Sequence, residues 1–282
     1  MTKQSPNSNL DASLDEAVNL SGSLAKGLKL IELLLESPMP QGVSQVASGA
    51  GLDGATAHRL LQVLVERGYA VRDRESKRYM AGPRGLSPLG VSHPLRELSR
   101  ESAPILGSLR NSTGETCALV IFQSTQRLVC EMAPGAHPLV PYYDTWLRSP
   151  LHGSASGKVL LASLAVSERK ALLGPGPYQS ATPYTITDPA VLEVHLAEVN
   201  ARGYALARDD AFVGMTAIAA PLKYANRVVG CLAIVGRSES MPSSSDTDHA
   251  EALANAAALL SHSAPSLRNV NHMFNCRGPT VV

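Results

Sequence analysis

Residues 152–158, His-Gly-Ser-Ala-Ser-Gly-Lys, form the densest group of side chains suited to chemistry. Hydroxyls beside a histidine suggest nucleophilic catalysis, and a glycine before a lysine suggests phosphate binding. A phosphate loop would need Gly where His152 stands and Ser or Thr where Val159 stands, and a nucleophile elbow would need Ser in place of Ala155. We therefore interpret these small residues as the start of a helix that can closely approach a ligand.

Metal and redox chemistry find no support in the histidine and cysteine spacings. The eight histidines include no His-x-x-x-His pair, and the four cysteines include no Cys-x-x-Cys pair. This predicts no metal site, no cofactor and reduced thiols, as in a cytoplasm. No apolar run is long enough to cross a bilayer, and the N-terminus lacks signal-peptide character. We expect a cytoplasmic protein without a membrane partner that is not an enzyme.

A second group of residues, 43–82, combines helix signals with hydrogen-bonding side chains. Asp53 predicts the N-cap of a helix, and Gly68 predicts its end. Apolar residues at helical spacing give this helix one buried face. The opposite face is predicted to meet the major groove of DNA through Thr56, His58, Arg59 and Gln62.

A charged hairpin is predicted directly after this helix, between strands at residues 69–71 and 79–81. Between residues 55 and 84, seven Lys or Arg stand against three acids, a surplus of four, whereas the whole chain carries only +1. Positive charge concentrated beside a groove-reading helix favours contact with the phosphates of double-stranded operator DNA. The residues predicted to make it are Arg72, Arg74, Lys77 and Arg78. The alternative is a solvated charged hairpin.

The length of 282 residues and an apolar content of 44% favour about two domains with real cores. We predict an N-terminal winged helix-turn-helix and a C-terminal α+β domain on a mainly antiparallel sheet. The expected segments are a mobile arm at 1–20, the winged helix-turn-helix at 21–84, a linker helix at 85–112, an effector-binding domain at 113–264 and a tail at 265–282.

Two of these segments contain a helix that is rich in leucine. The first places Leu24, Leu28, Ile31 and Leu35 on one stripe. The predicted linker helix carries Leu95, Leu98 and Leu106, which offer apolar surface for a homodimer; alternatively, they cover only their own domain.

Over residues 23–262 the sequence resembles the IclR family of bacterial transcriptional regulators. The matching segments are GLDGATAHRLLQVLVERGY and RYMAG in the first domain, with SPLHGSASGKVLLASL, TITDPAVL, GYALARDDAFVGMTAIAAPL and VVGCLAIVG in the second. Such ordered matches over both domains are far more specific than one motif. The resemblance implies a winged helix-turn-helix, a linker helix, an effector domain similar to GAF domains, dimers that pair into tetramers, and a metabolite that alters DNA binding or transcription.

One departure from the family falls at the start of the recognition helix. The family often has a Lys-Ser-Thr-like run where this chain has Gly54, Ala55 and Thr56, so one phosphate or base contact is in doubt. Arg59 is as readily structural as DNA-contacting in the family.

The resemblance also implies where an effector would lie. In the family, the ligand often rests between the helix start matching residues Gly153, Ser154, Ala155 and Ser156 and strands matching 204–210, 215–221 and 229–236. Members that bind very small polar acids tend to have an acid, a cysteine and two serines at four strand positions. Those positions are apolar in this chain: Ala207, Ala217, Ala233 and Val235.

An apolar wall disfavours a tiny polar ligand, because each buried polar group left unpaired costs about 1–3 kcal/mol. The polar elements that remain are the backbone N–H groups of the helix start, which suit an anion. This predicts a benzoate-like or otherwise hydrophobic carboxylic acid, or an uncharged amide or hydrazide. Tyr142, Tyr143 and Trp146 either close over such a ring or are ordinary aromatics. Asp209 and Asp210 match acidic positions that either line the pocket or face solvent.

These observations predict a ligand-responsive, DNA-binding regulator that acts as a homodimer or tetramer. The alternative is a small-molecule-binding enzyme whose N-terminal domain docks on something other than DNA.

Overall fold

The computed structural model describes residues 22–37, 39–85, 89–137, 147 and 149–274. It divides into two compact units, the N-terminal unit Met1–Gly90 and the C-terminal unit Val91–Val282. The predicted arm at 1–20 lies outside the described residues. Within the described ranges, no helix is long and apolar enough to cross a membrane.

The N-terminal unit is a three-helix domain with a hairpin. Val46, Leu61 and Leu64 from the second and third helices pack with Tyr79 of the hairpin in its core. The hairpin strands are antiparallel, and Gln41 adds an isolated bridge to Tyr79. The elements are α1 Ser23–Glu36, α2 Val43–Gly49, α3 Gly54–Glu66, β1 Ala70–Arg72 and β2 Tyr79–Ala81.

Local signals in the sequence set both ends of α3. The Thr56 N–H donates to the Asp53 carboxylate at 2.8 Å, which confirms the predicted N-cap. After the helix, Gly68 has a φ of 76°, a left-handed conformation that glycine adopts without strain. The recognition helix therefore has a defined start, close to the turn that follows α2.

Helix α1 has two apolar faces, and only one of them is buried. Leu30 and Leu34 lie in the core, where they are at most 2% exposed. Leu24, Leu28 and Leu35 belong to the stripe recognised in the sequence, and they are 77%, 51% and 56% exposed. The fourth member of the stripe, Ile31, is half-buried and packs against the core. The stripe is therefore exposed at its three leucines and partly covered at Ile31.

The C-terminal unit is built on a five-stranded sheet of order β4-β3-β7-β6-β5, in which every neighbouring pair is antiparallel. This confirms the predicted α+β class. The elements are α4 Pro94–Thr113, β3 Thr116–Gln123, β4 Gln126–Ala133, α5 Ala155–Ser163, α6 Val166–Leu173, α7 Pro189–Arg202, β5 Ala205–Arg208, β6 Met215–Tyr224, β7 Arg227–Arg237, α8 Asp246–Ser263 and α9 Ser266–Phe274.

Helices α4, α8 and α9 cover one face of this sheet. Leu98 and Leu106 of α4 are fully buried in their own unit, so the prediction that they offer a surface for pairing is wrong. The residues predicted to form a tail include α9, which buries Leu267 and Val270 against the same core. These two apolar residues, three positions apart, are too short a pattern to predict a helix.

Helix α5 covers the other face of the sheet, and α7 packs beside it. At Gly157, helix α5 lies close to the chain segment that precedes it. A Cβ on Gly157 would lie 2.2 Å from the Leu151 carbonyl oxygen, so a larger residue there would displace the helix. This face carries the residues predicted to bind an effector.

Candidate DNA interface and effector site

The outer face of α3 presents the residues predicted to read DNA. Arg59 and Gln62 are exposed, whereas Thr56 and His58 are partly buried. Hydrogen bonds from Thr56, from its backbone N–H first and then from its side chain, lower the pKa of Asp53. Thr56 therefore takes part in capping the helix. Of the four residues predicted to read DNA, Arg59 and Gln62 are the most accessible.

The predicted wing residues Arg72, Arg74, Lys77 and Arg78 are all exposed. The hairpin tip is ordered by Asp73, whose carboxylate accepts from the Ser76 backbone N–H and from its hydroxyl, both at 2.6 Å. These bonds also lower the pKa of the Asp73 carboxyl. The tip is thus a defined turn that carries positive side chains.

Three of these basic side chains make local contacts. The Lys77 ammonium donates to the Arg74 carbonyl at 2.6 Å, and Arg78 donates to the Pro40 carbonyl at 3.2 Å. The Arg72 guanidinium lies 5.5 Å from the ring centroid of Tyr79. These contacts restrict where the three cationic side chains point.

The four strand positions predicted to line the effector site lie on the face of the sheet that α5 covers. Ala207 pairs with Ala217, which pairs with Val235, so the three form one row across β5, β6 and β7. Ala233 stands one row further along, opposite Ala219. All are buried, and we refer to Ala207, Ala217, Ala219, Ala233 and Val235 as the alanine floor.

The predicted helix start, Gly153 to Ser156, is buried above this face. Ser154 is the N-cap of α5, but its side chain makes no capping bond. Its hydroxyl donates instead to the Pro150 carbonyl at 3.0 Å. The structure thus brings the helix start and the alanine floor together. The predicted aromatic residues Tyr142 and Trp146, with Tyr143, lie outside the described residues.

A buried arginine, Arg127, joins the helix start to β4 and was not foreseen in the sequence. It is 2% exposed, and its Nη1 donates to the hydroxyls of Ser154 at 2.5 Å and Ser156 at 3.1 Å. Its Nη2 donates to the carbonyls of Leu147 and Ser149. The available signal was a single arginine within the apolar strand Gln126–Ala133.

Lys158 is a second buried cation, one turn into α5 and 1% exposed. Its ammonium lies 2.5 Å from the Asp210 carboxylate and donates to the Leu206 carbonyl at 3.0 Å. Burial lowers the pKa of Lys158, and the Asp210 carboxylate opposes this shift. The Asp210 carbonyl in turn accepts from the hydroxyl of Thr185 at 2.7 Å. Asp210 is therefore buried and paired.

Asp209, predicted as an effector ligand, serves the β5–β6 turn instead. It has a φ of 62°, and its carboxylate accepts from the Gly214 N–H at 2.6 Å and from the Ser238 hydroxyl at 2.9 Å. Both bonds are made to the same carboxylate oxygen, one from the turn and one from the residue that follows β7. The placement of Asp209 gives no support to the predicted role.

The hydrogen bonds at the helix start do not assemble a nucleophile with a base. Within the described residues, the His152 ring bonds to the Gln179 carbonyl at 2.9 Å, and both serine hydroxyls accept from Arg127. Burial lowers the pKa of His152. Nor do the described ranges contain a cluster of three His, Cys, Asp or Glu side chains able to hold a metal ion.

Comparisons with known proteins agree with both units. The profile of the IclR helix-turn-helix domain matches residues 23–74, and that of the bacterial transcriptional regulator IclR C-terminal domain matches residues 93–262. The HTH-type transcriptional regulator BhcR of Paracoccus denitrificans (strain Pd 1222) is 30% identical over 200 residues, which cover 71% of each protein.

Two solved structures share the fold. The transcriptional regulator RHA06195 from Rhodococcus sp. RHA1 has a TM-score of 0.75 at 25% identity, over 87% of this chain and 98% of that one. An IclR homolog from Microbacterium hydrocarbonoxydans, complexed with 4-hydroxybenzoate, has a TM-score of 0.74 at 23% identity, over 88% and 100%. The second likeness concerns the fold alone.

A winged helix-turn-helix joined to an effector domain defines a DNA-binding transcriptional regulator. The two profile matches and the similarity to BhcR identify the family of this regulator. The chain belongs to the IclR family of bacterial transcriptional regulators.

The buried pair predicts a strong effect of removing one partner. Asp210→Asn should lower the free energy of unfolding by about 3–5 kcal/mol, because it leaves Lys158 buried without its carboxylate. Burial lowers the pKa of Lys158 in the folded state, so the unfolded chain binds that proton more tightly. The free energy of unfolding of this variant should therefore rise with pH toward the ordinary lysine range.

Urea denaturation at several pH values measures both effects. Asp209→Asn is the matched control, since its side-chain oxygen can still accept from Gly214 and Ser238. The double variant Lys158→Met, Asp210→Asn should be more stable than Asp210→Asn alone. A cost below about 1 kcal/mol for Asp210→Asn would contradict the importance of the pair.

Residues on α3 and on the wing should affect DNA binding differently. Gln62→Ala should cost about 1–3 kcal/mol in affinity and relax the preference at one base position. Lys77→Ala should weaken all sequences alike and flatten the salt dependence by about one unit of slope. Binding titrations on a set of single-base operator variants at several salt concentrations separate the two. A change of base preference in Lys77→Ala would show that the assignments are reversed.

Proposed function

We propose that this protein is a cytoplasmic regulator that binds double-stranded operator DNA and responds to a small organic acid, with aromatic acids preferred. The observation that carries the effector proposal is the alanine floor, which faces the start of α5. Membership of a regulator family and the exposed basic hairpin support the DNA partner. Nothing in the described side chains favours the alternative of an enzyme with a docking domain.

The preference for an aromatic acid follows from the chemistry of the alanine floor. Its side chains offer no donor or acceptor, so a hydroxyl placed against it would lose water without replacement, at about 1–3 kcal/mol. An apolar ring placed there gains about 25 cal/mol for each Å² removed from water. The solved IclR homolog holds 4-hydroxybenzoate, so in that protein the shared fold accommodates such a ring.

A thermal-shift screen tests the effector class. Benzoate, 4-hydroxybenzoate and benzamide should stabilise the protein more than glyoxylate or pyruvate, because only the larger ligands cover the apolar wall. Ala217→Ser and Ala233→Ser should reduce the response to the aromatic ligands and improve the response to the small acids. Stabilisation by the small acids alone, with no gain from either serine variant, would refute the aromatic preference.

DNA binding has its own test. The protein should shift a palindromic fragment from beside its own gene in an electrophoretic assay. Raising the salt from 50 to 200 mM should weaken binding by about 10³-fold or more if six or more phosphates are contacted. Failure to bind such a fragment at low salt would favour the docking-domain alternative.

We also propose that the protein is a homodimer or tetramer whose N-terminal units associate through α1. One recognition helix reads only a few base pairs, and a two-fold operator calls for two of them. The exposed stripe of Leu24, Leu28 and Leu35 provides contiguous apolar surface on one helix. We propose this stripe as the association surface in place of the leucines of α4, because Leu98 and Leu106 are buried in the core of their own unit.

Substitution on this stripe should weaken association. Leu28→Ser should lower the mass measured by light scattering at micromolar protein, since it places a hydroxyl in the apolar contact. Leu259→Ser, at a leucine of α8 that is similarly exposed, is the matched control and should leave the mass unchanged. A monomeric mass for the wild-type protein would refute the proposal. An equal decrease in mass in both variants would show that α1 is not the contact surface.

A further inference from the structure

The C-terminal unit has a cavity between α9 and the end of β6. Its volume is about 390 Å³, which is enough for a small ligand, and it is lined by Tyr224, Arg268, Asn269, Asn271 and His272. Tyr224 packs against the core that α4, α8 and α9 share with the sheet. The cavity is therefore on the face of the sheet opposite α5, away from the residues proposed to bind the effector.

The fold holds the wall that α9 contributes to this cavity. Leu267 is fully buried, and Ser266 at the helix start donates to the Glu101 carboxylate of α4 from both its backbone N–H and its hydroxyl. Arg268 and His272 are four residues apart on the helix, so their side chains are neighbours on one side of it. The cavity thus has two basic side chains at a spacing that the helix fixes.

The lining side chains are hydrogen-bond donors that the protein leaves unused. In the part of the chain that the structure describes, none of the five makes a side-chain hydrogen bond or an ion pair. Two of the five are basic and none is acidic. A guanidinium, an imidazole, a phenol and two amides can all donate. Such a set suits a ligand that is negatively charged and rich in acceptor atoms.

The stability of α9 does not account for Arg268. It is the third residue of the helix, and a cation in the first turn opposes the helix dipole. The positive end of that dipole would instead attract an anion held by Arg268. Arg227 adds a further positive charge nearby. It is exposed and lies opposite Tyr224 in the β6–β7 register, so both side chains leave the same face of the sheet.

We propose that this cavity binds a phosphate group, either as inorganic phosphate or as the head of a small phosphate ester. A phosphate carries nearly two negative charges and presents several acceptor oxygens. The planar fork of Arg268 suits two of those oxygens, and the phenol, the imidazole and the amides are available to the others. A concave site of this size favours a small ligand over the backbone of duplex DNA. The protein would then have a second ligand in addition to the proposed effector.

Isothermal calorimetry on the full chain tests this with inorganic phosphate, glycerol 3-phosphate and uncharged glycerol. At least one of the two phosphates should bind and glycerol should not, and the ratio of the two phosphate affinities identifies the source of the group. Arg268→Gln should weaken phosphate binding by about tenfold or more, as expected for a charge-assisted bond. Arg237→Gln removes the same charge at the far end of β7 and should leave the affinity unchanged.

A second variant tests whether the anion lies inside the cavity. Tyr224→Phe removes one hydroxyl from the wall opposite α9 and should weaken phosphate binding by about two- to tenfold. An unchanged affinity in this variant would place the anion outside the cavity and overturn the proposal. Thermal denaturation without ligand should be the same for Arg268→Gln and the wild-type protein, because the side chain is exposed.

The remaining outcomes separate this site from the others. Binding of phosphate without binding of benzoate would support this inference and refute the aromatic effector. Loss of benzoate binding in Arg268→Gln would show that one site serves both ligands, and would overturn the inference. It would also be overturned if the wild-type protein bound neither phosphate, or if Arg268→Gln weakened only the binding of operator DNA.

Discussion

Two buried cations hold helix α5 against the sheet, and the geometry of the proposed effector site depends on them. Arg127 fixes the start of the helix to β4. Lys158, at the end of the first turn, fixes the helix to Leu206 of β5 and to Asp210, which follows that strand. Strands β4 and β5 are the two edges of the sheet, so the helix is fastened across its full width. Buried charges cost solvation free energy and need closely matched partners, which makes their positions exacting. The start of α5 is thus held in a fixed position on the sheet.

Much of the fold could be predicted because its signals are local. Asp53 and Gly68 mark the ends of α3 within a few residues of the bonds that they make. The strands of the C-terminal unit follow from short apolar runs and their turns. The resemblance to a family then brought Ala207, Ala217 and Val235 together, and the register of β5, β6 and β7 places them in one row.

What could not be predicted depends on contacts between distant parts of the chain. Arg127 and Ser154 are 27 residues apart, and Lys158 and Asp210 are 52 apart. The spacing of apolar residues along the sequence does not reveal such pairs. The buried face of helix α1 could not be predicted for another reason. The helix is apolar on two faces, and the spacing of its apolar residues does not tell which face is buried. Only the packing shows that Leu30 lies in the core and that Leu28 is exposed.

We propose that an effector bound in the C-terminal unit changes the affinity of the protein for operator DNA. Thermodynamic linkage tests it most directly. The operator dissociation constant is measured with and without saturating benzoate, and the benzoate dissociation constant with and without saturating operator. We expect the two constants to change by the same factor, of about 5–150. Tight binding of both ligands with neither constant altered by the other would contradict it.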